Sequence, residues 1–511
     1  MVLAGRKNKS ESGSRDVPAD CDTFSLMKLP ESFLWHDYET FGANPMSDRP
    51  AQFAAQRTDA DLQPLGDAVT WYCAPANDVL PHPMACLITG ITPQDALERG
   101  LRETEFARHV NDEMMQPGTC SAGYNSIRFD DLITRNLLYR NLRDPYEREY
   151  RNGNSRWDLI DVARMCYALR PDGIEWPLHE PGRPSFRLED LSAANKIRHE
   201  GAHDALADVR ATIDLARCIR KAQPRLFRWA LDMRDQKKVA RLLDPVEPTP
   251  LLHTSARIAA ARGCTTLVLP LAVLPDRPKS VVVFDLAGDP TPLIREPVEA
   301  LRGLLFTAEQ HLPDECERLP LKLIHSNHVP MVAPMATLKG VDTGRIQLDS
   351  ERCLHHARAL MGALDTVRAK AIEVYSRPPD SYQNGSDPDL MIYSGSFFSQ
   401  GDRHLMGKIL AVPPDELRGH QWSFQDQRLP LMLFRYRARN YPETLTPEEV
   451  RSWDQDRRAR LIDSEDSTLF TLKGFRQAMQ ELREQKKDDV EAMNILDQLD
   501  SWVRENGMAQ L

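Results

Sequence analysis

The pattern of hydrophobic and polar positions predicts alternating strands and helices over residues 32–222. Three short apolar runs have the composition of β-strands, namely residues 32–38, 68–73 and 119–124. Three stretches carry apolar residues at helical spacing, namely residues 101–115, 130–140 and 203–222. Pro224 follows the last stretch and predicts that the helix stops there. This part of the chain is therefore expected to be an α/β domain.

The composition and the hydrophobic pattern of the chain change after residue 222. Three β-branched runs bounded by turn residues predict further strands, namely residues 264–269, 280–286 and 321–325. Residues 223–377 are therefore expected to form a small β-rich domain with helices attached. A polar linker is predicted at residues 377–385. The last part, residues 378–511, is mostly helical in composition, and helical spacing is clearest in residues 477–485 and 488–503.

Length and composition narrow the class of protein. A chain of 511 residues is too long for one ordinary core, so several domains are expected. Residues 1–31 are polar and lack the apolar core of a signal peptide, which predicts a disordered leader. No apolar run is long enough for a membrane helix, so no membrane partner is expected.

Cysteine usage and net charge add two weaker expectations. None of the nine cysteines forms a C-x-x-C pair, which argues against a zinc site and favours reduced thiols in the cytoplasm. The net charge of −10 argues mildly against a surface coated with basic groups for nucleic acid, but it leaves room for a local basic groove.

Two carboxylates stand at the end of the first predicted strand, in the sequence Phe-Leu-Trp-His-Asp-Tyr-Glu-Thr-Phe-Gly at residues 33–42. Because side chains alternate along a strand, Asp37 and Glu39 point to the same face. Neighbouring carboxylates repel each other, and a bound divalent metal removes that repulsion. The spacing favours a metal-binding strand edge, although solvated charges are the commoner interpretation of such a pair alone.

Two further segments carry candidate chemistry. In Gly-Tyr-Asn-Ser-Ile-Arg-Phe-Asp-Asp at residues 123–131, a strand ends and Asp130 opens a helix. His203 and Asp208 stand at the start of another helix. Five residues span one full helical turn plus about 140°, so the two side chains do not lie on one line of the helix. His203 is therefore expected on or just before the first turn, above a site to which Asp208 contributes from the helix. Asp130 alone is typical of a helix N-cap, and His203 or Asp208 alone of an ordinary polar residue. Together, in one α/β unit, they favour an active site.

These motifs resemble a known family. The D-x-E pair, the asparagine followed by Phe-Asp and the His-x4-Asp resemble the histidine branch of the DEDD superfamily of 3′–5′ exonucleases. Longer segments resemble the bacterial exodeoxyribonuclease I family, namely Trp-His-Asp-Tyr-Glu-Thr-Phe-Gly at 35–42, Asn-Ser-Arg-Trp-Asp-Leu at 154–159, Cys-Tyr-Ala-Leu-Arg-Pro at 166–171, Pro-Ser-Phe-Arg-Leu-Glu at 184–189 and Tyr-Arg-Ala-Arg-Asn-Tyr-Pro at 436–442. The resemblance covers nearly the whole chain beyond the polar leader.

The resemblance implies a fold and a function. The fold is a ribonuclease-H-like exonuclease domain at 32–222, an SH3-like domain at 223–377 and a C-terminal helical domain at 378–511. The function is processive 3′–5′ degradation of single-stranded DNA to 5′-mononucleotides in DNA repair or recombination. It requires two Mg²⁺ ions, for which Mn²⁺ substitutes. A monomer is expected, with single-stranded DNA and the acidic C-terminal tail of the single-stranded DNA-binding protein as partners.

The resemblance also assigns roles to the five site residues. Asp37 is expected to bridge both ions, and Glu39 and Asp208 to complete the first metal site, with Glu39 also near the terminal nucleotide. Asp130 is expected to hold the second ion through water. His203 is expected to be the general base, because its ordinary pKa lies close to the working pH.

Other residues are candidates for binding the substrate. Arg187 resembles the family arginine that contacts the nucleotide, and the alternative is a surface ion pair with Glu189 or Asp190. Three aromatic side chains are candidates for stacking on bases, with core packing favoured for the second of them: Tyr124, Phe129 and Trp157. Binding of an acidic peptide or phosphate and surface ion pairing are equal alternatives for Arg437 and Arg439.

Two other functions remain open at this point. The same chemistry acts on RNA in other members of the superfamily, and the carboxylates do not distinguish the two nucleic acids, because that choice depends on contacts near the sugar. A non-catalytic scaffold that binds nucleic acid is disfavoured, because all five site residues are present.

Overall fold

The computed structural model describes residues 29–180, 183–199, 204–313, 316–376, 387–464 and 469–508. Most of the predicted leader, the predicted linker at 377–385 and the candidate base His203 lie outside the described residues.

The first domain contains a mixed sheet and flanking helices. Its strands are β1 (Ser32–Thr40), β2 (Pro50–Thr58), β3 (Val69–Tyr72), β4 (Thr119–Gly123), β5 (Ser155–Asp158), β6 (Leu178–Glu180) and β7 (Arg183–Pro184). Its helices are α1 (Pro83–Thr89), α2 (Pro93–Arg99), α3 (Glu103–Met114), α4 (Asp130–Arg140), α5 (Leu159–Leu169), α6 (Leu188–Ala194), α7 (Ala205–Ala222) and α8 (Pro224–Asp232).

The central sheet has the order β3-β2-β1-β4-β5, and β6 and β7 form a separate hairpin. β1 is antiparallel to β2 and parallel to β4, which is itself parallel to β5. This is the ribonuclease-H-like arrangement that the sequence predicts. The sheet is covered on both faces: Phe33 and Trp35 of β1 pack in a core shared with α5 and α7, whereas Leu34 and Tyr38 pack in a core shared with α3 and α4. Asp37 and Glu39 continue the face that is directed toward α7.

One element of this domain differs from the prediction. β2 was not predicted, because its residues are buried on both faces and therefore lack the alternation of a half-exposed strand. α7 ends at Ala222, so the predicted end of that helix before Pro224 is confirmed. Pro224 is the first residue of the next helix, α8, where its missing N–H leaves no helical hydrogen bond unmade. α8 then packs on the same core as the sheet, with Phe227 against Trp157.

The second domain is an antiparallel sheet with five helices among its described residues. The strands are β8 (Leu251–Thr254), β9 (Thr265–Leu274), β10 (Arg277–Asp285), β11 (Leu321–His325) and β12 (Met331–Pro334), in the order β11-β10-β9-β8-β12. The helices are α9 (Gln236–Leu242), α10 (Thr291–Arg295), α11 (Val298–Phe306), α12 (Ser350–Gly362) and α13 (Leu364–Ser376). The three predicted strands correspond to β9, β10 and β11.

The C-terminal domain is helical, as predicted. Its helices are α14 (Gln400–Ile409), α15 (Leu429–Asn440), α16 (Pro447–Leu461), α17 (Leu472–Gln485) and α18 (Val490–Glu505). The domain packs directly on the first one: Phe475 and Leu496 share a core with Phe41, and the indole of Trp502 donates a hydrogen bond of 3.0 Å to the carbonyl of Val79. Among the described residues, the helices are all too short or too polar to cross a bilayer.

Candidate active site

Three carboxylates converge where β1 meets the first turn of α7. Oxygen atoms of Asp37, Glu39 and Asp208 all lie within 4.8 Å of one another. β1 supplies the first two from one face of the strand. Glu39 is 8% exposed, so it is held almost entirely within the protein. Three hard oxygen ligands at this separation fit a divalent cation.

The packing of α7 against the sheet brings Asp208 to β1. Ala205 is fully buried, and its backbone N–H donates to the side-chain oxygen of Gln52 on β2 at 3.3 Å. Asp204 caps the helix by accepting a hydrogen bond of 3.1 Å from the N–H of Ala207. A small residue at the contact and a fixed first turn therefore set the position of Asp208.

Asp130 lies next to this cluster but is not one of its three members. It is the first residue of α4, it is 3% exposed, and its carboxylate accepts a hydrogen bond of 3.1 Å from the backbone N–H of Tyr38. Since Tyr38 stands between Asp37 and Glu39 in β1, Asp130 is tied to the strand that carries the cluster. The sequence prediction that Asp130 opens a helix is confirmed.

The electrostatics of the site favour bound positive charge. Burial, together with Asp130 and Asp208, raises the pKa of Asp37 well above its usual range. Burial and the neighbouring Asp37 and Asp208 likewise raise the pKa of Glu39. Burial and Asp131 raise the pKa of Asp130. The site thus brings together carboxylates that repel one another, and a bound cation would reduce this repulsion.

These shifts predict a pH-dependent stability of the metal-free protein. Where the native pKa of a carboxyl is raised, the native state keeps a proton that the unfolded chain has already released, so the free energy of unfolding falls as the pH rises. In EDTA, raising the pH from about 5.5 to about 8.5 should therefore destabilise the wild type more than Asp37→Asn, by about 1.4 kcal/mol or more. Thermal unfolding at both pH values measures this, and an equal pH dependence would contradict the electrostatic description.

A cleft of about 1170 Å³ opens over the carboxylates. Asp37 and Asp208 lie in its wall, together with Tyr124 and Asn125 from the loop after β4. Arg257, from the loop between β8 and β9 of the second domain, also lines the cleft. Two domains therefore contribute to its walls.

Arg187 lines the same cleft, just before α6. It is exposed, and among the described residues it forms no ion pair with Glu189 or Asp190. Asp190 instead accepts a hydrogen bond from the hydroxyl of Ser185 and lies 3.3 Å from the ring of His179. The alternative in which Arg187 makes a surface ion pair is therefore wrong.

The three candidate stacking residues have different surroundings. Tyr124 lines the cleft, and its hydroxyl donates to the carbonyl of Phe186 at 2.7 Å. Phe129 packs against the core around Leu34 and Tyr38, so core packing is confirmed for it. Trp157 is fully buried. Base stacking by Trp157 was therefore a wrong prediction.

Trp157 has charged neighbours in the sequence, but all of them lie inside the protein with it. Its indole donates to the carbonyl of Ala230 at 3.1 Å within the core. The neighbours Arg156 and Asp158 are buried too, and each has polar partners inside the protein. Burial of charged residues that are paired in this way is not visible in a sequence pattern.

Arg437 and Arg439 form ion pairs within the protein. Arg439 contacts Asp78 at 2.9 Å and Asp389 at 2.6 Å, and its side chain is 2% exposed. Arg437 contacts Glu449 at 2.7 Å. The ion-pair alternative is therefore confirmed, although the pairs are buried and not on the surface, and binding of an acidic peptide by Arg439 is wrong.

The structure adds a residue that the sequence reasoning missed. The ring of His199 forms a hydrogen bond to the carboxylate of Asp208, and the histidine side chain is 7% exposed. His199 stands in an irregular segment nine residues before Asp208, and no regular spacing connects the two. The only signal in the sequence is a second histidine four residues before His203.

The comparisons with known proteins agree with this geometry. Residues 34–216 match the family profile described as Exonuclease. Residues 234–377 match the Exonuclease I SH3-like domain, and residues 386–506 match the Exonuclease I C-terminal domain. The ribonuclease-H-like sheet and the first match define the class of the first domain, which is an exonuclease.

Three relatives extend the match to the full length of known proteins. Exodeoxyribonuclease I of Escherichia coli is 42% identical over 94% of this chain and 98% of that protein. The structure of a moderately thermophilic exonuclease I from Methylocaldum szegediense has 47% identity, a TM-score of 0.85, and coverage of 93% of this chain and 99% of that chain. A zinc-bound complex of E. coli exonuclease I with single-stranded DNA has 42% identity, a TM-score of 0.87, and coverage of 93% and 99%. The chain belongs to the exonuclease I family.

Proposed function

We propose that the protein is a 3′–5′ exonuclease that degrades single-stranded DNA processively to 5′-mononucleotides, with divalent metal as its cofactor. The observation that carries the proposal is the cluster of three carboxylates within 4.8 Å of one another in the wall of a large cleft. The membership of the chain in the exonuclease I family supplies the reaction type. The zinc ion and the single-stranded DNA in the E. coli relative support the metal dependence and the substrate.

The carboxylates would hold Mg²⁺, with Mn²⁺ as a substitute. Asp37, Glu39 and Asp208 would hold one ion, and Asp37 together with Asp130, through water, would hold a second. Divalent ions held by these residues would supply positive charge for the scissile phosphate and would activate the attacking water. The fit rests on the donor set, since oxygen ligands suit magnesium and the raised pKa values of the carboxylates favour a cation.

We assign the proton transfer to His203. It immediately precedes Asp204 in the sequence, and Asp204 caps the helix that carries Asp208. The assignment also follows the His-x4-Asp motif of the family. A histidine there would remove the proton from the attacking water and would be neutral at the working pH.

Arg187 and Glu39 are proposed to bind the terminal nucleotide. Arg187 is exposed in the cleft and, among the residues that the structure describes, its guanidinium forms no ion pair, so its donors remain available for a phosphate. Glu39 is adjacent to Asp37 on the same face of β1. Tyr124 would offer a ring to a base at the wall of the cleft.

The oligomeric state, the protein partner and the cellular compartment are proposed from the family resemblance and from the free cysteines. The family resemblance supports a monomer that acts in DNA repair or recombination and binds the acidic tail of the single-stranded DNA-binding protein. That tail would bind elsewhere than at Arg439, which is buried in ion pairs. The described cysteines are all free thiols, which supports a reducing compartment such as the cytoplasm.

Cleavage of matched DNA and RNA oligomers tests the choice of substrate. In Mg²⁺ we expect the single-stranded DNA to be shortened to mononucleotides, and the RNA of the same sequence to be cleaved at least roughly tenfold more slowly, because a 2′-hydroxyl must be accommodated beside the reacting phosphate. Equal or faster cleavage of the RNA would overturn the assignment to DNA in favour of a ribonuclease of the same superfamily.

A further inference from the structure

The loop between β4 and α4 holds two parts of the site in place. At its start, Tyr124 and Asn125 line the cleft, and at its end Asp130 accepts the N–H of Tyr38 in β1. Residues 124–129 contain no strand or helix of their own. The backbone of Asn125 has a φ of 64°, in the left-handed region. The conformation of such a segment must be imposed by neighbouring groups.

Asp158 is the neighbour that binds this loop. It is the last residue of β5 and the N-cap of α5, and it is 3% exposed. One carboxylate oxygen accepts the N–H of Asn125 at 2.9 Å, and the other accepts the N–H of Ile127 at 3.1 Å. The first oxygen also accepts the N–H of Ile160 at 3.1 Å, which caps α5. A single buried carboxylate thus fixes the loop and a helix at the same time.

A second carboxylate of α5 strengthens the connection. Asp161, one turn further along, accepts a hydrogen bond of 2.6 Å from Arg128 in the loop. Its other oxygen accepts from Arg164 at 2.6 Å. Because the Arg128 side chain is 40% exposed, its pair with Asp161 contributes less than the backbone hydrogen bonds to Asp158. The loop is therefore attached to the start of α5 at three points, residues 125, 127 and 128.

We infer that Asp158 is a positioning residue for the active site, which holds the loop so that Asp130 stays beside Asp37 and Tyr124 stays in the wall of the cleft. It would touch neither metal nor DNA. Removing it would release the two backbone N–H groups and allow Asp130 to move relative to β1. Removing a group that orients a metal ligand without touching the metal typically lowers metal affinity or activity by about 10–100-fold. This inference rests on the proposed function, because it presupposes that Asp130 serves a metal site.

The test compares Asp158→Ala and Asp158→Asn with the wild type. Mn²⁺ is titrated calorimetrically into each metal-free protein, and the Mg²⁺ dependence of kcat and KM is measured on a single-stranded DNA oligomer. We expect Asp158→Ala to weaken Mn²⁺ binding by roughly tenfold or more, to raise the Mg²⁺ midpoint similarly, and to lower kcat more than it changes KM. Asp158→Asn keeps one acceptor oxygen but sets an amide group against the N–H of Ile127, so its values should be intermediate. If the alanine variant does not fold, the asparagine variant carries the test.

A matched control separates positioning from loss of stability. Asp235 caps α9 in the same way, by accepting the N–H of Lys237 at 2.8 Å, and it lies outside the site. Asp235→Ala should lower the unfolding temperature and leave metal binding unchanged. The inference is overturned if folded Asp158 variants bind Mn²⁺ like the wild type, or if they lose activity only in proportion to the unfolded fraction. If the wild type does not digest DNA, the proposed function fails, whereas weakened Mn²⁺ binding by the variants would still support the positioning role.

Discussion

The Asp37→Ala variant is expected to release no measurable nucleotides from single-stranded DNA, a loss of at least about a thousandfold in kcat, or about 4 kcal/mol of transition-state stabilisation. Asp37 belongs to the cluster with Glu39 and Asp208 and also interacts electrostatically with Asp130. It is the carboxylate proposed to bind both ions. Without it, neither metal site keeps its full set of ligands. Asp208→Ala is expected to have a similar effect, because it removes another member of the cluster.

The fold of the Asp37→Ala variant should be intact. Removing one of several carboxylates that repel one another leaves the metal-free protein at least as stable as the wild type. Release of labelled mononucleotides and the circular dichroism spectrum should be measured on the same sample. Asp112→Asn is the control, since Asp112 is an exposed carboxylate on α3 that pairs with Arg108. Normal digestion by a folded Asp37→Ala variant would remove Asp37 from the proposed metal site.

The second large effect is expected at the contact between the first and the C-terminal domain. The Arg439 side chain is 2% exposed and pairs with Asp78 from the first domain and Asp389 from the C-terminal domain. Arg439, together with Arg460 and Arg49, holds the pKa of Asp78 well below its usual range. Arg439→Ala leaves buried carboxylates with fewer positive partners, and breaking a buried pair in this way costs about 3–5 kcal/mol. The loss should be measured as a lower urea midpoint of unfolding.

An exposed pair across the same two domains provides the control. Arg102 contacts Glu443 at 3.1 Å, and both side chains are about half exposed, at 48% and 56%. Arg102→Ala is therefore expected to cost at most about 1 kcal/mol. Similar urea midpoints for Arg102→Ala and Arg439→Ala would show that burial does not govern the strength of these pairs.

The fold could be predicted where the pattern of apolar residues has one clear period. α7 runs from Ala205 to Ala222, close to the predicted 203–222, and it buries Val209, Ile213 and Ala216 at helical spacing. β2 was missed because both of its faces are covered, so its sequence Pro-Ala-Gln-Phe-Ala-Ala-Gln-Arg-Thr shows no alternation, and its polar residues are buried too. Gln52 can be buried because its polar atoms have partners inside the protein. Its side-chain N–H donates to the hydroxyl of Tyr72, and its side-chain oxygen accepts the N–H of Ala205.

The site was predicted to the extent that it is local in sequence. Asp37 and Glu39 are two positions apart in one strand, so the period of the strand alone places them on one face. The contact of Asp208 with that strand depends on how α7 packs, which came from the family resemblance and not from spacing. The partnership of His199 with Asp208 and the hydrogen bonds of Asp158 to the 124–129 loop depend on tertiary structure, and no pattern in the sequence indicates them.

The central claim is that the carboxylate cluster hydrolyses single-stranded DNA from its 3′ end. The most direct test is a Mg²⁺-dependent digestion of one single-stranded DNA oligomer, labelled at the 3′ end in one sample and at the 5′ end in the other. The account predicts that the 3′ label leaves at once as a mononucleotide, that the 5′ label persists until the strand has been consumed, and that EDTA stops both. Earlier release of the 5′ label, internal cleavage, or digestion that continues in EDTA would contradict it.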